Sequence, residues 1–263
     1  MTRLLFIKLG GSLITNKQVA NTYHGSAVAS VGSVLRTALD DDPMIRLLIG
    51  HGSGSFGHVA AQRYGTMQGV CSLEDWRGFA HVAAAAAELN GLVSATLRAQ
   101  GMPVWRIQPS ASARSTGGEI VDMALQPIRA ALEHQLVPLV YGDVSLDDQR
   151  GGTIISTETV FFYLARHLPV DEILLLGDVD GVFDQTGAII PVITPALLPQ
   201  IEAALGGSAG TDVTGGMAAK VRHMLNLVST VPRLSIRIMG GNPAQIAAVL
   251  TGREAHGTLI RLD

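Results

Sequence analysis

The sequence predicts an α/β fold, a three-layer α/β/α sandwich with a mainly parallel central sheet. Six short apolar runs predict strands buried on both faces, at residues 4–9, 45–49, 104–107, 137–141, 173–176 and 236–239. Segments with helical spacing separate several of them, at residues 26–39, 73–99, 124–135, 158–167, 214–229 and 244–250. Strands that alternate with helices of this length are typical of a parallel sheet covered on both faces.

Shorter β-prone pieces predict hairpins or edge strands, at residues 119–121, 152–155, 182–190 and 258–261. The glycine-rich stretch 142–152 is the expected boundary between two lobes of one domain that spans residues 1–263. The N-terminal lobe would comprise residues 1–150 and the C-terminal lobe residues 151–263.

Composition disfavours several classes of protein. The 263 residues are 47% hydrophobic and 16% charged, which is typical of a globular chain. A net charge of −3 without a basic cluster argues against nucleic-acid binding. The single cysteine, Cys71, excludes an internal disulfide framework and suits a reducing compartment. No apolar run reaches the length of a signal-peptide core or a membrane span, so we expect a soluble cytoplasmic protein.

Glycine-rich turns follow the predicted strands, at the sheet edge where open α/β proteins bind ligands. The end of the first strand contains Lys8, and it is followed by Gly10, Gly11 and Ser12 and then by Lys17. Paired glycines let the backbone approach an anion, and lysines can neutralise phosphoryl oxygens. Taken alone, this segment fits a tight turn with surface lysines equally well.

The most informative turn follows the second predicted strand and spans residues 51–58. It leads from a strand through Gly52, Ser53, Gly54 and Ser55 into an expected helix start, and such a turn presents backbone N–H groups to a phosphate. His58 adds a side chain that can hydrogen-bond to phosphate near neutral pH. In isolation, the turn fits an ordinary capped helix equally well.

Three later turns repeat the pattern. Gly142 and Asp143 follow the fourth strand, and Asp178 follows the fifth, where a carboxylate can hold Mg²⁺ through water or contact a ribose. Gly215 lies at a helix start, and Lys220 would lie one turn into that helix, near an anion bound at its N-terminus. Each turn alone is weak because Asp-Gly pairs are common in ordinary turns. Together the turns predict a kinase.

Taken in order, these segments resemble the amino-acid kinase superfamily, and within it the isopentenyl phosphate kinases, over essentially the whole chain. The resemblance is carried by residues 8–12 and 14–17, by Gly54-Ser55-Phe56-Gly57-His58, and by residues 141–144 and 212–216. A histidine that closes the second turn is typical of isopentenyl phosphate kinases and of the related fosfomycin kinases. The chain has neither a P-loop nor a protein-kinase signature.

The resemblance implies the amino-acid kinase fold, a homodimer, and ATP- and Mg²⁺-dependent phosphorylation of isopentenyl phosphate to isopentenyl diphosphate. It places Lys8 and Lys17 at the transferring phosphoryl group, His58 at the acceptor phosphate, and Ser53 and Gly142 along the acceptor site. It implies that the nucleotide is bound by a larger set: Lys8, Gly10, Gly11, Ser12, Gly54, Asp178, Gly215 and Lys220.

Two segments depart from the family pattern. Ser53 stands where the turn more usually has a glycine. Ser156-Thr157-Glu158 stands where Ser-Gly-Asp is more usual, so Glu158 is only a candidate for an acidic role. The sequence assigns no metal ligands.

Other acceptors and another class of protein remain open at this point. A fosfomycin kinase could use the same turn and histidine, whereas kinases of carboxylates, carbamates or nucleotides are disfavoured by His58. A non-catalytic nucleotide-binding regulatory protein would have little need for so many charges aimed at one phosphoryl group. An isoprenoid tail requires an apolar pocket, and the helix at residues 73–99 is the candidate wall, with Phe79, Val82 and the alanines from Ala83 to Ala87.

Overall fold

The computed structural model of the chain describes residues 2–16, 19, 21–199, 201 and 216–262. Within these ranges the strands are β1 (Arg3–Leu9), β2 (Ile45–His51), β3 (Val104–Arg106), β4 (Arg114–Thr116), β5 (Glu119–Asp122), β6 (Val137–Tyr141), β7 (Asp143–Asp147), β8 (Gly151–Ile155), β9 (Glu172–Gly177), β10 (Val192–Ile193), β11 (Ser235–Gly240) and β12 (Thr258–Ile260). The main helices are α1 (Gly11–Ile14), α2 (Gly25–Asp41), α3 (Gly54–Tyr64), α4 (Leu73–Ala99), α5 (Gln126–Glu133), α6 (Thr157–His167), α7 (Gly216–Thr230) and α8 (Pro243–Leu250).

The central sheet has eight strands in the order β10-β12-β11-β9-β1-β2-β6-β3. Neighbouring strands in it are parallel, except that β11 and β12 are antiparallel. The chain crosses from one strand to the next mostly through helices, which is the connection that a parallel pair requires. The prediction of a mainly parallel sheet is confirmed.

Side chains of β1 alternate between two apolar cores, one on each face of the sheet. Leu4 and Phe6 pack with residues of α5, α6 and α7, whereas Leu5 and Ile7 pack with residues of α2, α4 and α8. The rings of Phe6 and Phe161 meet edge to face, with centroids 5.1 Å apart. Burying one such side chain contributes about 1.5–3 kcal/mol, so both helical layers are held by packing on the sheet. This arrangement is the predicted three-layer sandwich.

A second sheet has four strands in the order β5-β4-β7-β8. Strands β4 and β5 precede β6 in the chain, and β7 follows β6 directly after Gly142. The stretch 142–152, expected to be the boundary between the lobes, forms β7, a turn and the start of β8. Its polar residues serve the turn, because the Asp147 carboxylate accepts backbone N–H groups of Gly117, Gly118, Gln149 and Arg150. The division into lobes stays a prediction.

The six predicted strands and the described parts of the six predicted helices lie within two residues of the observed bounds. Helix α4 has the predicted bounds, and its start is marked by a capping box between Ser72 and Asp75. Strands β4, β7 and β10 were not predicted, and the piece at residues 182–190 forms a single bridge between Phe183 and Ile189. No helix within the described ranges is both long and apolar enough to cross a bilayer.

Candidate active site

A cleft of about 660 Å³ lies at the carboxyl ends of β1, β2, β6 and β9. It collects the following predicted site residues: Lys8, Gly10, Gly11, Ser12, Ser53, Gly54, Gly142, Asp178 and Lys220. Lys17 and Gly215 lie outside the described residues, and for His58 the structure describes only its place in helix α3. A smaller cavity of about 70 Å³, beside Arg46 at the opposite end of the sheet, contains none of the predicted site residues.

The first two glycine turns contact each other through their backbones. A Cβ atom on Gly11 would lie 2.9 Å from Cα of Gly54, and one on Gly52 would lie 3.0 Å from the Gly11 nitrogen. Gly54 also has a φ of +48°, a conformation that favours glycine. The Thr15 hydroxyl donates to the Gly11 carbonyl at 2.8 Å and accepts the Ser55 N–H at 3.0 Å. Backbone contact and one hydroxyl therefore hold the two turns together.

Two serines of the second turn differ in role. Ser53 replaces the usual glycine, and it fits because residue 57 is glycine: a Cβ atom there would lie 2.4 Å from the Ser53 Cβ. The Ser55 hydroxyl is buried, lines the cleft and has no hydrogen-bond partner in the part of the chain that the structure describes. Buried hydroxyls without partners are rare. Ser55 is thus a candidate binding residue that sequence reasoning missed, since a serine in a turn is not distinctive.

Lys8 forms an ion pair with Glu158 across the edge of the sheet. Strand alternation places Lys8 on the same face as Phe6, which packs against Phe161 of α6. Glu158 lies three residues before Phe161, on the same side of that helix. The packing of two phenylalanines therefore brings lysine and glutamate together although 150 residues separate them in the chain.

The electrostatic surroundings keep Glu158 ionised. Burial raises the pKa of its carboxyl, but the charge and hydrogen bond of Lys8, together with the charge of Lys220, lower the pKa below its ordinary value. The stabilisation from this shift is therefore complete above the ordinary glutamate pKa and is lost only as the pH falls through the lowered value. At neutral pH the Glu158 carboxylate is ionised, and the charges of Lys8 and Lys220 stabilise it.

The segment Ser156-Thr157-Glu158 departs from the family pattern, and each of its three residues makes a specific contact. Ser156 caps α6 by accepting the Thr159 N–H at 3.0 Å. The Thr157 hydroxyl donates to the His51 carbonyl at 2.6 Å and so ties α6 to the end of β2. The acidic role suggested for Glu158 gains support from its contact with Lys8.

The opposite side of the cleft is formed by the end of β9 and by α7. Asp178 and Val179 follow β9, and Lys220 lies one turn after the described start of α7, as its sequence position predicted. Within the described residues, no group of three or more His, Cys, Asp or Glu side chains could hold a metal ion. A Mg²⁺ ion carried by a nucleotide would need one or two protein carboxylates beside the phosphates, and Glu158 and Asp178 both line this cleft.

Asp143 lines the cleft but is engaged with the backbone. Its carboxylate accepts the N–H groups of Ser110 at 3.0 Å and Val144 at 2.9 Å. Burial raises the pKa of this carboxyl despite those hydrogen bonds. Its contacts assign Asp143 a structural role in holding the segment around Ser110.

The remaining end of the cleft is apolar. It is lined by Ala61, Met67, Val82, Ala86 and Ile154, with Gln62 as the polar residue beside them.

Helix α4 therefore lines the cleft as expected, through Val82 and Ala86. Of the alanines named as part of the wall, Ala84 is exposed, and neither Ala84 nor Ala87 lines the cleft. Sequence alone does not show which side of an alanine run faces inward. Phe79 packs near Gly152 of β8 and does not line the cleft.

Comparisons with known proteins agree with this geometry. Residues 3–238 match the amino acid kinase family. The isopentenyl phosphate kinases of Methanothermobacter thermautotrophicus and Haloferax volcanii are each 34% identical to this chain, over 98% of both sequences. A solved structure of isopentenyl phosphate kinase aligns with a TM-score of 0.81 and 29% identity, covering 98% of this chain and 100% of the other. The chain belongs to the amino acid kinase family, in its isopentenyl phosphate kinase branch.

Proposed function

We propose that this protein catalyses the ATP-dependent phosphorylation of isopentenyl phosphate to isopentenyl diphosphate. The observation that carries the proposal is one continuous cleft with three chemically distinct parts. Lys220 and Asp178 lie on one side, Lys8 and the glycine turns lie in the middle, and an apolar end lies against α4. ATP, an acceptor phosphate and a hydrocarbon tail fit these parts in that order.

The proposed binding roles follow from this division. The C-terminal lobe, residues 151–263, would bind ATP, and the N-terminal lobe, residues 1–150, would bind the acceptor. His58 would donate a hydrogen bond to the acceptor phosphate, and Ser53 and Gly142 would line its site. The partnerless Ser55 hydroxyl would donate to a phosphate oxygen, which satisfies a group that the described residues leave unpaired.

Nucleotide binding would use Gly10, Gly11 and Ser12 beside the phosphates, with Gly54 and Gly215. When bound, Mg²⁺ would neutralise phosphate charge, with Glu158 and Asp178 within the same cleft.

The chemistry needs positioning and charge more than proton transfer. An anionic oxygen of isopentenyl phosphate attacks the γ-phosphorus of ATP, the bond from that phosphorus to the β,γ-bridging oxygen breaks, and ADP leaves. A phosphate monoester, whose second pKa is about 6, already presents this anionic oxygen at neutral pH. No general base is required.

The main obstacle is repulsion between two anionic substrates. At 4 Å, two unit charges repel by about 4 kcal/mol at an effective dielectric constant of 20. Lys8, Lys17 and Lys220 would offset this repulsion, and the Glu158 carboxylate would hold Lys8 in place between the substrates.

The apolar end of the cleft distinguishes the remaining acceptors. A small polar acceptor such as fosfomycin would leave the surface formed by Met67, Val82 and Ala86 uncovered, whereas an isopentenyl chain would bury it. We further propose a cytoplasmic homodimer that binds neither nucleic acid nor membranes, in keeping with the low charge and the homology.

The acceptor can be identified by ADP release with Mg-ATP. We expect turnover with isopentenyl phosphate and dimethylallyl phosphate, and little or none with fosfomycin, with isopentenol or without acceptor, because only the first two combine a phosphate with an apolar chain. Equal ADP release with and without acceptor, or faster turnover of fosfomycin, would contradict the proposed function.

His58→Ala should lower kcat with isopentenyl phosphate by about 10- to 1,000-fold, because the acceptor phosphate loses a hydrogen-bond donor. The KM for ATP should stay nearly unchanged. The control is His81→Ala, which removes an exposed histidine stacked on Tyr64. Unaltered turnover in His58→Ala would remove this histidine from the mechanism.

Glu158→Gln should lower kcat by about 10- to 100-fold, because a neutral amide no longer holds Lys8 as an ion pair. Steady-state kinetics and thermal unfolding would be compared with those of Arg166→Gln, a charge change on the exposed side of the same helix. If the two variants have equal kcat, Glu158 plays no part in positioning Lys8.

Ala86→Leu should depress activity on longer alkenyl phosphates before it affects isopentenyl phosphate, because the larger side chain shortens the apolar end of the cleft. Ala84→Leu makes the same change on the exposed side of α4 and should leave tail-length preference unaltered. An acceptor series of increasing chain length measures both. The same preference in Ala86→Leu and the wild type would show that α4 is not the wall.

A further inference from the structure

The last two residues of β2 face opposite sides of the sheet. Gly50 faces α6, where a Cβ atom would lie 2.5 Å from the Phe161 ring. His51 follows Leu47 and Ile49 on the other face, toward α4. The second glycine turn, whose start is Gly52, thus begins directly after a fully buried histidine that the proposed chemistry does not use.

Both ring nitrogens of His51 have hydrogen-bond partners. Nδ1 lies 3.0 Å from the Gly52 carbonyl oxygen, and Nε2 lies 3.0 Å from the Asn90 side-chain nitrogen. A carbonyl only accepts, so Nδ1 carries the proton and Nε2 accepts from the Asn90 amide. The ring also stacks on Tyr141, with centroids 5.6 Å apart.

The histidine stays neutral in this setting. Burial lowers the pKa of His51 to about 4, although its hydrogen bond to Gly52 acts in the opposite direction. Its backbone joins two further parts of the cleft, because the His51 carbonyl accepts from the Gly142 nitrogen at 3.2 Å and the Thr157 hydroxyl at 2.6 Å. His51 therefore contacts the second glycine turn, helix α4, the end of β6 and the start of α6.

One face of α4 connects this histidine to the apolar end. Val82, Ala86 and Asn90 follow one another at intervals of four residues, so their side chains lie along the same side of the helix. The first two line the apolar end of the cleft, and the third donates to His51. A hydrogen bond between two buried side chains thereby links the helix that forms the tail wall to the residue that precedes the glycine turn.

We propose that His51 and Asn90 are positioning residues that hold the acceptor turn against helix α4 and so determine acceptor affinity without contacting the acceptor. The proposal rests on the proposed function, because it takes the turn after His51 as the acceptor phosphate site. Most of the proposed ATP-binding residues lie outside the acceptor turn, which contributes Gly54, and the described side-chain hydrogen bonds of His51 and Asn90 go to Gly52 and to each other.

The first test replaces the donor by an apolar side chain of similar size, Asn90→Leu. The KM for isopentenyl phosphate should rise about tenfold or more, because the turn shifts relative to the tail wall, while the KM for ATP should change less than about threefold, because Gly54 is the one proposed ATP-binding residue in this turn. Ser94→Ala, which alters a buried polar side chain one turn further along α4, should change neither value. Thermal unfolding shows that each variant is folded.

Two kinetic results would overturn the proposal. In one, both KM values stay at the wild-type level in a folded Asn90→Leu variant. In the other, both KM values rise together, which is the result of a general loss of structure.

The second test reads the hydrogen bond without turnover, by long-range ¹H–¹⁵N NMR of the His51 ring. Wild-type protein should show one protonated nitrogen, Nδ1, from pH 8 to pH 5. In Asn90→Asp, a carboxylate faces Nε2 and the ring should carry a proton on both nitrogens at pH 7. If the His51 ring of Asn90→Asp still carries a proton on Nδ1 alone at pH 7, the proposed pairing of His51 with Asn90 is contradicted.

The two tests distinguish failure of the proposed function from failure of the proposed role of His51 and Asn90. Wild-type protein that does not phosphorylate isopentenyl phosphate would contradict the proposed function, and the ring spectrum would still decide whether Asn90 bonds to His51.

Discussion

The cleft depends on the backbone contact between the turns that follow β1 and β2. Gly11, Gly52 and Gly54 meet with no side chain between them, and the Cβ distances leave no room for one. Lys8 lies just before the first turn and His51 just before the second, and strand alternation places the lysine on the α6 side and the buried histidine on the α4 side. The positions of the Lys8 side and the His51 side of the proposed active site therefore depend on the pairing of the parallel strands β1 and β2.

Charge in this site is arranged around a carboxylate, although both proposed substrates are anions. An isolated glutamate would repel them, but Glu158 is paired with Lys8 and feels the charge of Lys220. Phosphoryl transfer through a loose transition state gains mainly from fixed positive charge. A lysine that is already held at the edge of the sheet needs little rearrangement when the substrates bind. The segment Ser156-Thr157-Glu158 provides this hold, because Glu158 pairs with Lys8.

Much of the fold follows from local patterns, whereas the pairings in the site do not. Apolar runs and helical periodicity located the six predicted strands and α4, because five of those strands are largely buried on both faces and α4 is buried along one stripe. The run at residues 104–107 was also expected to be buried on both faces, but β3 is a short, mostly exposed strand at the edge of the sheet. Strand β7 escaped prediction because its polar residues bond to a neighbouring hairpin. The contacts of Glu158 with Lys8 and of Asn90 with His51 join residues 150 and 39 positions apart. No local pattern encodes such pairings. The alanine run of α4 does not show in sequence which residues face the cleft. In the structure Ala86 lines the cleft and Ala84 does not.

The central claim is that the γ-phosphoryl group of ATP moves onto a phosphate oxygen of isopentenyl phosphate. The most direct measurement is ³¹P NMR of a mixture of enzyme, Mg-ATP and isopentenyl phosphate. The phosphate-monoester signal should be replaced by two mutually coupled signals of a diphosphate ester, in equal amount to the ADP formed. Inorganic phosphate as the product, or an unchanged monoester signal while ADP accumulates, would contradict it.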